Sequence, residues 1–174
     1  MIPWKQFVLL SCLFVLLLIA GCPQAPPDDD TVQEGEVEEG DESFSAMEKR
    51  VLTLVNRERK RQKRVVLEMD KKLRAVARAH SQDMAVNNYF SHTSLDGLST
   101  FERLEASSVK WKIAGENIAY NSNSADPALT AVTSWMNSPE HYENMLTKDY
   151  TLTGIGVGRG ENGIYFFTQV FVGD

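Results

Sequence analysis

The sequence predicts an α+β domain with a small, mainly antiparallel sheet, preceded by an N-terminal leader. Patterns typical of helices occupy residues 45–146, and patterns typical of strands come last, within residues 154–172. Helices and strands that are segregated in this way, instead of alternating, are typical of the α+β class. A chain of 174 residues has room for one domain of common size and its tails.

Residues 1–21 have the pattern of a bacterial lipoprotein signal peptide. Phe7–Ala20 is almost wholly apolar, and its 14 residues are too few for a permanent membrane span, which needs about 20. Residues 18–22 read Leu-Ile-Ala-Gly-Cys, which resembles a lipobox. That resemblance implies cleavage before Cys22 and a diacylglycerol on its thiol. An ordinary secretory signal and an uncleaved anchor remain alternatives.

Lipidation at Cys22 would attach the protein to a membrane and place it on the extracytoplasmic side, at the periplasmic face or the cell surface. The other cysteine, Cys12, lies in the leader. The mature domain therefore has no cysteine for a disulfide, a thiol nucleophile or a Cys-rich metal site.

Residues 22–43 are predicted to form an acidic, disordered tether. This stretch carries nine Asp and Glu residues without any Lys or Arg, so it repels itself and cannot bury a core. Residues 44–174 hold 17 cations and 15 anions, so the −6 net charge comes mostly from the tether. Nothing in this balance indicates a nucleic-acid partner.

The folded part begins with a predicted helix. Ser45 and Glu48 have capping-box spacing, and apolar residues then recur on one helical face. The helix ends in a basic run, residues 57–64. Cations suit a helix C-terminus, and a patch for an anionic lipid or polymer is the alternative.

Asp70 is predicted to cap a second helix that ends near Asn87-Asn88. His80 lies on the apolar face of this helix, where we expect a packed, hydrogen-bonded side chain instead of a catalytic one. A short helix is expected over Thr100–Ala106, with Ser99 or Thr100 as its cap. Gly115 indicates a turn or a close approach of backbones.

Asp126-Pro127 and Ser138-Pro139 each predict a helix start, because a capping residue precedes a proline at the first helical position. Residues 154–158 and 164–172 predict a strand pair joined by a turn at residues 160–163. The alternating glycines of the first strand do not precede a helix or a Gly-Lys-Ser/Thr, which excludes a phosphate loop. We expect them to let a bulky element pack closely.

Five stretches, in order and spacing, resemble the CAP (SCP-like) superfamily of cysteine-rich secretory proteins, antigen 5 and pathogenesis-related-1 proteins. They are residues 79–84 (AHSQDM), 89–94 (YFSHTS), 115–118 (GENI), 135–141 (WMNSPEH) and 154–157 (GIGV). The similarity covers about residues 47–172, so we assign residues 44–174 to one CAP domain of bacterial type. The resemblance implies an α-β-α sandwich, with the sheet between helical layers and a cleft on one side.

Many members carry two His and two Glu in that cleft, and some bind a divalent metal there. The resemblance places three of these four residues on His92, Glu116 and His141. The second glutamate falls on Ser138. Glu140 is adjacent to His141, but neighbouring helical residues point about 100° apart, so we expect its carboxylate not to reach the cleft.

The three candidate cleft residues, His92, Glu116 and His141, permit more than one chemistry. Two imidazoles and a carboxylate suit a divalent metal such as zinc, which could activate water. Without a metal they could act as an acid–base pair. A Ser-His-Glu protease is a further alternative, although no serine lies in a nucleophile motif. The last alternative is a hydrogen-bonded network with a structural role only.

The superfamily resemblance implies binding of lipids or sterols, or protein interaction, without one shared activity. We therefore predict a lipid-anchored, extracytoplasmic binding module, and expect binding more than catalysis. Its ligand would be an envelope component, a small apolar molecule or a partner protein. The alternative is a metal- or His/Glu-dependent hydrolase that acts on peptide or cell-wall substrates through the same residues.

Overall fold

The computed structural model describes residues 39–173. The predicted signal peptide, the lipidation site at Cys22 and most of the predicted tether lie outside these residues. Within residues 39–173, no helix combines the length and the apolar character that a membrane crossing requires.

Five helices and four strands make up the described part of the chain. In chain order they are α1 (Glu39–Arg61), β1 (Glu68–Met69), α2 (Lys71–Asn87), α3 (Thr100–Ala106), β2 (Ile113–Asn121), α4 (Pro127–Met136), α5 (Pro139–Leu146), β3 (Leu152–Arg159) and β4 (Tyr165–Gly173). The strands form one sheet in the order β1-β3-β4-β2. β1 runs parallel to β3, and the other two pairs are antiparallel.

Helices cover both faces of this sheet. α1, α4 and α5 pack on one face, in a core that includes Trp135, Phe167 and Phe171. α2 and α3 pack on the other face, around residues such as Leu73 and Val170. The α-β-α sandwich that the resemblance implied is therefore confirmed.

α2 lies very close to β3 because three glycines of the strand face it. A Cβ atom added to Gly154, Gly156 or Gly158 would come within 2.0–2.3 Å of a backbone atom of α2. The contacts fall on Leu73, Ala77 and Ser81, one at each turn of the helix. The expectation of close packing is confirmed, and the bulky partner is helix backbone.

α1 begins earlier than predicted, at Glu39 instead of Ser45, so residues 39–43 are helical and the predicted disordered tether does not extend to residue 43. The predicted capping box is wrong, because both of its residues lie inside the helix and have other partners. The Ser45 hydroxyl accepts a hydrogen bond from Arg74. The Glu48 carboxylate is fully buried and pairs with Arg74 and Arg78 of α2. Residues with capping spacing thus join α1 to α2.

One cation of the basic run is not at the surface. Arg59 is fully buried, and its guanidinium donates to four backbone carbonyl groups. The acceptors are Val65 (2.7 Å), Met145 (2.7 Å), Thr147 (3.0 Å) and Tyr150 (3.0 Å). These groups lie in loops and at the end of α5, so Arg59 satisfies carbonyls that have no helix or sheet partner.

The other predicted helix boundaries are confirmed. The Asp70 carboxylate accepts from the amides of residues 72 and 73, and Asn88 ends α2 in the left-handed conformation at φ 52°. Ser99 caps α3 in a capping box with Glu102. Asp126 caps α4.

Two features near the sheet differ from the sequence prediction. β1 was not predicted, since two residues are too short for a pattern. Gly115 lies within β2 and not in a turn, and the close approach there involves a side chain instead of the predicted backbone: a Cβ would lie 2.5 Å from the Tyr150 hydroxyl.

The glycine contact predicts a large effect of a single methyl group. Gly156→Ala should lower the free energy of unfolding by about 2–3 kcal/mol, because α2 must move away from the sheet. Urea unfolding followed by circular dichroism measures the loss. Gly160→Ala is the matched control, since its nearest obstacle is the end of the Asn162 side chain. Equal losses in both variants would contradict the packing argument.

Candidate functional site

The segment between α2 and α3 carries His92 to the sheet. Asn88 turns the chain out of α2, and a tight turn follows in which the amide of Gly97, at φ 88°, donates to the carbonyl of Ser94. The amide of Ser94 donates to the carbonyl of Leu98. The segment is thus closed on itself by its own backbone and holds His92 at its near end.

His92 and Glu116 form the centre of the site. His92 Nδ1 lies 2.8 Å from Glu116 Oε1. The second carboxylate oxygen accepts from Arg103 Nη2, also at 2.8 Å. The Glu116 side chain is buried, with 3% of its surface exposed, whereas the His92 side chain is 53% exposed. The buried carboxylate therefore has both oxygens occupied, and the histidine ring faces solvent.

The protonation state of Glu116 follows from opposing effects. Burial raises the pKa of its carboxyl group, while the hydrogen bond from His92 and the positive charge of Arg103 lower it. The lowering effects win, so the pKa lies below its ordinary value. Glu116 is therefore ionised near neutral pH and stabilised in that form by its two partners.

Arg103 is a site residue that the sequence motifs did not identify. Besides Glu116, its guanidinium donates to the backbone carbonyls of His92 (3.0 Å) and Leu98 (2.8 Å). One side chain thus holds both ends of the segment and neutralises the buried carboxylate. A buried Glu needs a countercharge, and Arg103 is the one cation among residues 93–109, so this requirement is the signal that could have identified it.

His80 supports the same segment from α2. It is buried, its Nε2 atom lies 2.9 Å from the carbonyl oxygen of Ser91, and its ring meets Tyr89 edge-on at 6.3 Å. Because a carbonyl only accepts, Nε2 carries the proton. Burial lowers the pKa of His80, which keeps the ring neutral. The expected packed and hydrogen-bonded role is confirmed.

His141 approaches the site through backbone contacts. Its carbonyl accepts from Asn117 Nδ2 at 2.9 Å, and Asn144 donates to Asn117 Oδ1 at 3.0 Å. Trp135 Nε1 donates to the carbonyl of Ile118 at 2.9 Å. These bonds join the Gly-Glu-Asn stretch to the Trp–His stretch. The His141 ring is half-buried, and burial followed by the charge of His92 lowers its pKa.

The remaining two predicted positions lie at the start of α5. Ser138 is the N-cap residue, but its side chain makes no capping hydrogen bond. Glu140 is exposed, and its charge raises the pKa of His141. No hydrogen bond joins either side chain to the His92–Glu116 pair in the described residues.

The residues present do not fit a divalent metal well. Residues 43–173 contain no group of three His, Cys, Asp or Glu side chains arranged to hold an ion. His92 and Glu116 are in contact, but one Glu116 oxygen faces the Arg103 guanidinium. A cation at that position competes with a metal ion for the same carboxylate.

Two open cavities include residues of β2, and one of them is lined by His92 and Glu116. The first measures about 230 Å³ and is called the polar cavity here because five of its seven lining residues are polar; they are His92, Thr93, Ser99, Thr100 and Glu116, with Phe101 and Gly115. An aromatic groove of about 170 Å³ is lined by Asn88, Tyr89, Phe90, Tyr120, Ile164 and Phe166. In the groove, the rings of Phe90 and Tyr120 meet edge-on at 4.8 Å, and both are about half exposed.

Comparison with known proteins gives a family match over most of the chain. The model of the CAP family, described as the cysteine-rich secretory protein family, matches residues 52–171. This range contains every residue of the site described above.

Relatives in Bacillus share this region. The protein YkwD of Bacillus subtilis (strain 168) is 41% identical over 131 residues, which are 75% of this chain and 49% of YkwD. The membrane protein YlbC of the same organism is 43% identical over 125 residues, or 72% of this chain and 34% of YlbC. This chain thus spans half or less of the curated relatives that it matches.

A solved structure from Bacillus anthracis str. Ames, of an extracellular protein containing an SCP domain, is 34% identical to this chain with a TM-score of 0.65. The match covers 75% of this chain and 41% of that one. Its similarity supports the fold and the arrangement of the sheet and helices described above.

Removal of Arg103 should be costly. Arg103→Met should lower the free energy of unfolding by about 2–4 kcal/mol, because it removes the countercharge of the buried Glu116 carboxylate and the donor to the His92 carbonyl. Urea unfolding measures this loss. Arg50→Met is the matched control, because Arg50 also pairs with a carboxylate but lies at the surface. It should change stability little, and equal losses would show that Arg103 is not a structural countercharge.

The neutral state of His80 predicts a pH dependence. Its pKa is lowered in the folded protein, so the unfolded chain binds the proton first as the pH falls. The contribution of His80 should be full above about pH 6.5 and decrease below it, by up to about 1.4 kcal/mol per pH unit, in addition to any contribution from His141, whose pKa is also lowered. Urea unfolding across this range measures the slope, and His80→Gln should reduce it. A slope that is unchanged in His80→Gln, but removed in His141→Gln, would contradict the assignment.

Proposed function

The chain belongs to the CAP family, the cysteine-rich secretory protein family, and from that premise we propose that it is an extracytoplasmic binding module for an amphiphilic component of the cell envelope. The observation that carries the proposal is that both carboxylate oxygens of Glu116 already have partners within the protein. Its two oxygens are engaged by His92 and Arg103 in a buried position. This supports a carboxylate that fixes the shape of the cleft over one that reacts or binds metal.

The two cavities support an amphiphilic ligand. The polar cavity contains residues 115 and 116 of β2, and the aromatic groove contains Tyr120 of the same strand. Four residues of a strand span about 13 Å, a separation that suits a molecule with a polar and an apolar part. In the proposal, the exposed ring of His92 donates or accepts a hydrogen bond at the polar end, and Phe90 and Tyr120 contact the apolar end.

The extracytoplasmic location has support from two sources. The B. anthracis protein with 34% identity is described as extracellular, and YlbC is described as a membrane protein. The leader ends in a lipobox-like stretch. We therefore include attachment to a membrane through lipidated Cys22 in the proposal, with the acidic residues 22–38, which precede α1, as the tether.

One observation favours the hydrolase alternative. The Nδ1 contact with Glu116 orients the His92 ring and leaves Nε2 towards solvent, which is the arrangement of a general base. However, no serine or threonine hydroxyl bonds to His92 in the described residues. Ser91 accepts from the amide of Thr93, and Ser94 donates to Asp96. A nucleophile would therefore have to be water, which makes catalysis the second candidate.

Binding of a neutral amphiphile tests the proposal. A short-chain alkyl glucoside below its critical micelle concentration should bind the chain, as measured by titration calorimetry. Phe90→Ser with Tyr120→Ser should weaken its binding about fivefold or more, because two ring contacts of about 0.5–1.5 kcal/mol each are lost. His92→Ala should weaken it less, through loss of one hydrogen bond.

Leu129→Ser with Met136→Ser is the matched control. Both residues are about as exposed as Phe90, but they lie on α4, on the opposite face of the sheet. Equal weakening by both pairs would reject the groove. Release of products from peptides or peptidoglycan by the wild-type chain, lost in His92→Ala, would instead establish the hydrolase.

A further inference from the structure

A basic patch remains at the C-terminal end of α1 after the buried Arg59 is set aside. We define the α1 patch as Arg57, Lys60, Lys63 and Arg64, all of which are exposed. Arg57 and Lys60 are three residues apart in α1 and share one side of the helix, whereas Arg64 lies beyond the helix end. Lys63 follows the helix end with φ at 56°. The patch thus concentrates four charges within eight residues.

These four charges are not neutralised within the described residues. Arg61, the fifth exposed cation of the run, is bound at 2.7 and 2.8 Å to the Glu58 carboxylate and is excluded from the patch for that reason. Arg64 Nε donates to the carbonyl of Leu146, which is a contact with a neutral group. No ion pair involves a member of the α1 patch in the part of the chain that the structure describes. The patch therefore carries its full positive charge.

Two exposed apolar residues follow Arg64 of the patch directly in the sequence. Val65 is 70% exposed and Val66 is 36% exposed. Their backbone is held firmly, because Arg59 donates to the Val65 carbonyl and both backbone groups of Leu67 bond to the Asn56 side chain. The exposure of the valines is therefore a fixed property of the fold.

We propose that the α1 patch and the two valines form a docking surface for an anionic lipid bilayer. Basic residues beside exposed apolar ones are the composition of interfacial membrane contacts. Each Lys or Arg near an anionic leaflet strengthens attraction by about fivefold. A soluble anionic polymer would use the cations alone, so the valines favour the bilayer. The inference relies on the proposed membrane attachment for proximity, and is independent of the ligand in the cleft.

Acetylation of lysines in the full chain tests the docking surface. The chain is mixed with phosphatidylcholine vesicles with or without phosphatidylglycerol, treated with acetic anhydride, and analysed by mass spectrometry. Lys60 and Lys63 should react at least about threefold more slowly with anionic vesicles than with neutral ones, and high salt should remove the difference. Lys110, exposed beside α3 on the other side of the sheet, is the internal control and should react equally in both.

Variants separate the contributions. Arg57→Glu should abolish the protection of Lys60 and Lys63 from acetylation. The double variant Lys110→Glu, Lys112→Glu should leave that protection unchanged. Val65→Ser with Val66→Ser should reduce it. Equal acetylation of Lys60 and Lys63 with both kinds of vesicle would overturn the proposal. Protection that survives the valine changes and is reproduced by polyphosphate would also overturn it, because it would indicate a site for an anionic polymer.

Flotation of the same samples tests the docking surface separately from the proposed membrane attachment through lipidated Cys22. Chain that floats with neutral vesicles but shows no lysine protection with anionic ones retains membrane attachment and refutes the docking surface. Chain that floats only with anionic vesicles, with Lys60 and Lys63 protected, supports the docking surface and contradicts attachment through the leader or Cys22.

Discussion

Contact between the α2 backbone and the glycine-bearing face of β3 determines where much of the site lies. At Gly154, Gly156 and Gly158 the absence of a side chain lets the helix rest on the strand itself. The position of α2 sets the position of His80, and His80 holds the carbonyl of Ser91 beside His92. The geometry of the cleft therefore depends on the packing distance between α2 and β3. A displacement of this helix would be transmitted to His92 without any change of a cleft residue.

Two buried guanidinium groups perform parallel tasks on opposite faces of the sheet. Arg59 collects four carbonyls from loops and the end of α5, and Arg103 collects two carbonyls and the Glu116 carboxylate. Each replaces the regular hydrogen bonding that irregular backbone lacks. The planar guanidinium, with five donors, is suited to this task, and a lysine could not satisfy as many acceptors from one position.

Local chemistry could be predicted from the sequence, while long-range pairing could not. The caps at Asp70, Ser99 and Asp126 depend on neighbouring residues, and the glycines of β3 indicated a close approach without identifying α2 as the partner. The partners of Arg59 lie up to 91 residues away in the sequence, and no spacing rule predicts them. The spacing of Glu48 from Ser45 predicted a capping residue. Its role as the countercharge of α2 depends on tertiary packing, so the neighbouring residues could not predict it. The family motifs brought His92 and Glu116 together, but Arg103 belongs to none of them.

Trp135 donates a hydrogen bond to the Ile118 carbonyl, and Asn144 donates one to the Glu116 carbonyl. These two bonds affect how copies of the protein would associate at high concentration. β2 is an outer strand of the sheet, and such a strand offers unpaired carbonyls as a template for strands of other molecules. Here two side chains occupy acceptors that an incoming strand would need. Copies held at high density on one surface would thereby be protected from edge-to-edge aggregation, so Trp135 and Asn144 would keep the protein monodisperse as well as shape its cleft.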